Sequence, residues 1–141
     1  MTGHNDQTPI RRLHPIHGML LAATVPLFFC SLLSDIAYAQ TYQIQWTNFA
    51  SWLIAGGLVF AGLTLLWTII DLVRADHRGH LILHIVMLLA TWLVGFFNSL
   101  IHAKDAWAVM PMGLVLSVIV FLLACGATWI GFAKFGVGGK R

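Results

Sequence analysis

Four apolar stretches, each of 22 residues or more, leave this chain little choice of fold: Ile16–Ala39, Asn48–Val73, His80–Ile101 and Ala108–Phe132. About 20 helical residues cross the hydrocarbon core of a bilayer. The alternation that a membrane strand needs is absent, and the runs are too long for strands. The joints Gln40–Thr47, Arg74–Gly79 and His102–Trp107 are short, which forces consecutive helices antiparallel. The expected fold is all-α, an integral membrane four-helix bundle over residues 14–139 behind a polar tail of residues 1–13, with no visible internal repeat. Composition agrees: 59% of the residues are hydrophobic and 9% charged, whereas soluble domains carry about a quarter charged residues. The net charge of +3, with no long basic stripe, excludes a nucleic-acid binder and leaves the lipid bilayer as the first partner.

Basic residues set the expected orientation. Arg11 and Arg12, then Arg74 and Arg78, then Lys134, Lys140 and Arg141 all fall on one side of a four-span chain, and only Lys104 falls on the other. Such asymmetry places both termini in the cytoplasm, for a multi-pass protein of a bacterial inner membrane. Trp46, Trp52, Trp107 and Trp129 sit near the span ends, where interfacial aromatics belong. Ala37-Tyr38-Ala39 imitates a signal-peptide cleavage site, but the apolar run before it is too long and Asp35 sits badly for one. Cys30 and Cys125 carry no C-x-x-C spacing and read as small core residues.

The polar residues inside the spans are ordered. His77, His84, Thr91 and Asn98 recur every seven residues in the third span, and His17, Thr24, Ser31 and Tyr38 do so in the first. Seven residues are two helical turns, so each set shares one face. The second and fourth spans show Gly57, Thr64 and Asp71, and Gly113, Ser117, Ala124, Thr128 and Gly131, which suit close helix packing. Topology gathers His14, His17, His77, His80 and His84 at one end of the bundle, while Asp35, Asn98 and His102 offer a smaller polar cluster at the other.

A buried imidazole wants both its nitrogens satisfied, and a metal takes the lone pair. The chain has no Glu, which removes a di-iron carboxylate site. Imidazoles on facing helices with small residues on the other walls suit haem b. His17 and His84 are the expected axial ligands of the iron, with His80 or His14 as substitutes. Asp71 is placed to orient a ligand or pair with Arg74, and Arg11, Arg12 and Arg74 to meet propionates. Packing alone is the competing account of the same polar residues.

His14-Pro15-Ile16-His17, Ser34-Asp35, Gly62, Ile70-Asp71-Leu72, His80 and His84 with Asn98, and Phe135-Gly136-Val137-Gly138 together resemble the bacterial membrane family called domain of unknown function 2231, from about Leu13 to Gly139. Gly18 and His102 depart from that pattern. The resemblance implies a four-span inner-membrane protein. Members fused to cytochrome c or Rieske-type domains imply work near respiratory electron transfer.

The expected function is therefore a haem-binding electron-transfer subunit rather than a stand-alone enzyme, served by a separate redox protein or a quinone. The alternative is a non-catalytic membrane anchor or assembly subunit of a redox complex. Gly56-Gly57 and Gly62 offer contacts for a homo- or hetero-oligomer.

Overall fold

The computed structural model describes residues 13–75 and 79–134. His4, His77, Arg11, Arg12, Arg78, Lys140, Arg141 and the Phe135–Gly138 motif lie outside them. Helix α1 spans Pro15–Thr41, α2 Ile44–Val73, α3 Gly79–His102, α4 Ala106–Val109 and α5 Met112–Lys134. The four long helices are each long and apolar enough to cross a membrane.

The local chemistry explains the boundaries. His14 precedes α1 in an extended conformation and its side chain accepts from the Ile16 N–H, while Pro15 takes the first helical position, where its missing N–H costs nothing. Tyr42 closes α1 in the left-handed region, at φ 55°, and α2 starts at Ile44, earlier than the expected Asn48. The last long helix starts at Met112 rather than at Ala108. Pro111 pushes the residue before it away from the helical region, and Met110 is extended, at ψ 144°, so the apolar run breaks into the short α4 and α5.

Helix α1 packs beside α2 and α5, and α3 beside α2 and α5, so α1 faces α3 across the bundle diagonal. Each long helix turns one narrow stripe inward in alternating steps of three and four residues. In α1 the stripe runs His17, Leu21, Thr24, Phe28, Ser31, Asp35 and Tyr38. In α5 it runs Gly113, Ser117, Val120, Ala124, Ala127 and Gly131. A three–four alternation is the seam of a left-handed bundle.

These stripes stack as layers. Leu21, Leu88 and Ala127 form one apolar cluster, and Phe28, Val120 and Ala124 another. Many other inward residues are polar, while Leu, Val, Ile, Phe and Trp side chains cover the outside, with Trp52, Trp107 and Trp129 about four-fifths exposed. A protein built for water has the opposite arrangement; this one suits hydrocarbon outside and satisfied polar groups within. Thr64, Thr68 and Thr91 return their hydroxyl protons to carbonyls one turn back on their own helices, so they add no unsatisfied donor.

The layers also expose an internal repeat that the linear sequence hides. Asp35 and His102 meet across the diagonal 67 residues apart, and His17 faces His84 at the same offset. At that offset Leu21, Ala23, Thr24, Phe29 and Leu33 of α1 coincide in residue type with Leu88, Ala90, Thr91, Phe96 and Leu100 of α3. The contacts pair the helices as two antiparallel hairpins, α1–α2 and α3–α5, with α1 and α3 on the diagonal.

Phe28 fills the middle. A Cβ at Gly57 would stand 2.8 Å from its Cε1 and Cζ, and one at Gly95 3.5 Å from its Cε1. Gly57→Ala therefore pushes a buried ring towards α3 and α5, at a cost of about 1–3 kcal/mol. The expected result is a lower thermal midpoint in detergent, followed by circular dichroism, with most of the loss regained in Gly57→Ala/Phe28→Leu. An unchanged midpoint would contradict this packing. Gly57 is buried against Phe28, while Gly56 and Gly62 are half-buried beside Leu27 and Trp92, where a Cβ at Gly62 would stand 3.2 Å from Trp92 Nε1.

Candidate functional site

His17 sits in the first turn of α1 and is 1% exposed. Its ring stacks on Trp67 of α2, with centroids 5.9 Å apart and planes 12° apart. Trp67 also meets His14, at 5.2 Å, so one indole carries both imidazoles of the His14-Pro15-Ile16-His17 segment. His17 Nε2 lies 3.3 Å from Thr68 Oγ1. That hydroxyl already donates its single proton to the Thr64 carbonyl, at 2.8 Å, so towards His17 it can only accept. The imidazole therefore carries a proton on Nε2. Asp71 acts on the same ring through space.

His84 comes from α3, the helix across the diagonal, and is also 1% exposed. Its ring centroid is 6.3 Å from that of His17, with 62° between the planes. The edge of the ring lies over Gly131 of α5: a Cβ there would be 3.0 Å from His84 Cε1 and 3.5 Å from Nε2, and would overlap Leu21 Cδ2. Glycine is thus what lets α5 approach the imidazole. One layer accordingly holds His17, Thr68, His84 and Gly131, contributed by four helices.

The other two candidate ligands stand at the mouth of this layer. His14 is exposed and occupied as the N-cap of α1, and His80 is half-buried one turn before His84. Arg74 is exposed at the end of α2. Among the described residues no three His, Cys, Asp or Glu side chains converge as metal ligands. Cys30 and Cys125 are free thiols, but neither is the core residue expected from the sequence: Cys30 is exposed on the outer face of α1, Cys125 is half-buried, and neither belongs to this layer. A cleft of about 520 Å³ opens on the α1–α5 seam beside Val25, Cys125, Thr128, Trp129, Phe132 and Ala133, and neither buried imidazole lines it.

Sequence reasoning named the two buried histidines and put Thr68 and Gly131 on inward rows as packing residues, but it missed Trp67 and the partnership of Thr68 with His17 and of Gly131 with His84. The pairing of His17 with Thr68 depends on helix register, which one helix's periodicity does not contain. Removing the Thr68 hydroxyl leaves the His17 donor buried without that acceptor, at a cost of about 1–3 kcal/mol. Thr68→Val is expected to unfold at a lower temperature than Thr68→Ser, which keeps the oxygen. Equal midpoints for the two variants would show that this bond contributes nothing.

At the opposite end of the bundle, Asp35, His102, Ser117 and Asn98 form a second buried polar group. His102 Nε2 lies 2.7 Å from Asp35 Oδ1, and His102 Nδ1 3.0 Å from the Asn98 carbonyl. Ser117 Oγ donates to Asp35 Oδ2, and Asn98 Nδ2 donates to Ser117 Oγ at 2.8 Å. The expected trio is assembled, and Ser117, read from sequence as a packing residue, completes it. Ser117 bonds the carboxylate rather than the imidazole, so the serine–histidine contact of a nucleophilic triad is not formed.

Compared with known proteins, residues 13–138 match a family described as predicted membrane protein, domain of unknown function 2231. No curated protein and no solved structure matches the chain.

Proposed function

The chain belongs to domain of unknown function 2231, a family of predicted membrane proteins, and from that premise we propose that it is a b-haem-binding electron-transfer subunit of the bacterial inner membrane, with His17 and His84 as the axial pair. The observation that carries the proposal is their convergence: two buried imidazoles from diagonal helices with centroids 6.3 Å apart. His17 and His84 would be the two side chains that hold the group, one from each of two helices that face each other across the bundle. The donor set also suits the group. With only two protein ligands in the layer, a metal needs a macrocycle to supply the rest.

Thr68 of α2 and Gly131 of α5 border the two rings, and Leu21 Cδ2 packs over Gly131. Haem supplies one-electron exchange between ferric and ferrous iron. The chain does the rest. Trp67 would hold the plane of the His17 ring, and Thr68, by accepting the Nε2 proton, would leave Nδ1 as the lone-pair nitrogen. Leu21 and Leu88, 0% and 1% exposed, close the layer to water from the bundle side. Exclusion of water and the ligand pair together set the potential. The basic joints orient this end of the bundle to the cytoplasm, and a separate redox protein or a quinone exchanges the electron.

The visible spectrum of the detergent-purified protein, oxidised and then dithionite-reduced, tests the proposal. A Soret band with sharp reduced α and β bands is expected. A flat spectrum after expression with ample haem would leave the anchor or assembly role, for which the largely apolar outer faces of the four spans are suited.

A further inference from the structure

The hydrogen bonds around His102 fix a proton count. Nδ1 faces a backbone carbonyl at 3.0 Å, which only accepts, so Nδ1 carries a proton. Nε2 faces a carboxylate oxygen at 2.7 Å. Two lone pairs do not approach to that distance, so a second proton lies between them, on Nε2 or on Oδ1. The other carboxylate oxygen accepts from Ser117, whose oxygen in turn accepts from Asn98. The pair as built is electrically neutral and holds one proton that either partner can own.

We propose that Asp35 and His102 form a proton-binding site, a single-proton acid–base pair that exchanges with the water at the His102 end of the bundle. Burial is what makes one proton the favoured content. The two side chains are 0% and 1% exposed, and a lone buried carboxylate is far costlier than a neutral pair. Loss of the proton leaves Asp35 anionic against a neutral imidazole lone pair, and the contact that ties α1 to α3 across the diagonal opens.

The surroundings suit such a site. His102 is the last residue of α3, followed by the exposed Ala103, Lys104 and Asp105, so one helix end separates it from water. One turn further in, Ser31 Oγ and Asn98 Oδ1 are buried and make no hydrogen bond among the described residues, which leaves acceptor capacity beside the pair. Among the described residues no further charged side chain bonds to it. Helix α5 offers Ser117 and Gly113, and α2 offers Thr47 and Ala50 at this end. The nearest further titratable groups on these segments are Tyr38, one turn along α1, and the exposed Lys104 and Asp105.

Nuclear magnetic resonance of the full chain in lipid nanodiscs tests this, with ring-¹⁵N histidine and carboxyl-¹³C aspartate. From about pH 5 to about pH 10, a range spanning ordinary histidine titration, the His102 nitrogens and the Asp35 carboxyl carbon are expected to move in one common step of one proton. Asp35→Asn keeps the size and a hydrogen bond to Nε2 without needing the shared proton. In that variant the common step is lost and circular dichroism is unchanged. Constant shifts for both residues, two steps at separate pH values, or a common His102 step retained in Asp35→Asn would each overturn the proposal. Should Asp35→Asn fail to fold, the coincidence of the two wild-type titrations decides it.

Discussion

Alanine at position 84, or at position 17, is expected to abolish the Soret and reduced α bands of the purified protein while leaving its helicity intact. Alanine has no lone pair to offer the iron, and bis-imidazole ligation fails when either partner is lost. The helicity follows because His84 lies over Gly131, so truncation there opens space without a clash. His14→Ala and His80→Ala supply the contrast. His14 is exposed and engaged as a helix cap, and His80 stands outside the layer, so both variants should keep the full band. Full haem content in His17→Ala or His84→Ala would remove that residue from the ligand pair. Loss in His80→Ala alone would transfer the role on α3 to His80.

The second large effect belongs to stability. Asp35→Ala removes the acceptor of both His102 and Ser117 inside a layer that is 0–7% exposed. Breaking a buried pair from one side costs about 3–5 kcal/mol, because the remaining polar partner stays buried. The thermal midpoint should fall far more for Asp35→Ala than for Asp35→Asn. Asp35→Ala/His102→Leu, which removes both partners and restores apolar volume, should recover much of the loss. Equal midpoints for Asp35→Ala and Asp35→Asn would show that the polar pairing at this layer contributes little.

How much of this was legible in the chain depends on what each signal encodes. Run length gave four spans, because hydrocarbon thickness is a fixed ruler. The seven-residue spacing of His17 with Thr24, and of His84 with Thr91, gave the inward faces, and the short joints brought both histidines to one end. Register between helices is another matter. It decides that His17 meets Thr68, that Ser117 meets Asp35, and that α1 repeats in α3, and it arises from packing of all four stripes together. Phe28 against Gly57 illustrates the point: each residue is unremarkable alone, and only their level in the bundle makes them partners. Pro111 was visible in the sequence, yet the apolar residues around it masked its effect on where α5 begins.

The Phe28 layer also divides the bundle along its length. Polar side chains line the bundle axis from both ends, a pattern that invites water and ions inward from each surface. Phe28, with Val120 and the bare backbones of Gly57 and Gly95, interrupts that line. By helix rise the interruption lies roughly 16 Å from His17 and roughly 10 Å from Asp35. With the Leu21, Leu88 and Ala127 layer on its His17 side, it sets packed hydrocarbon between the polar groups of the two ends, so the two buried clusters belong to separate halves of the bundle rather than to one continuous polar line.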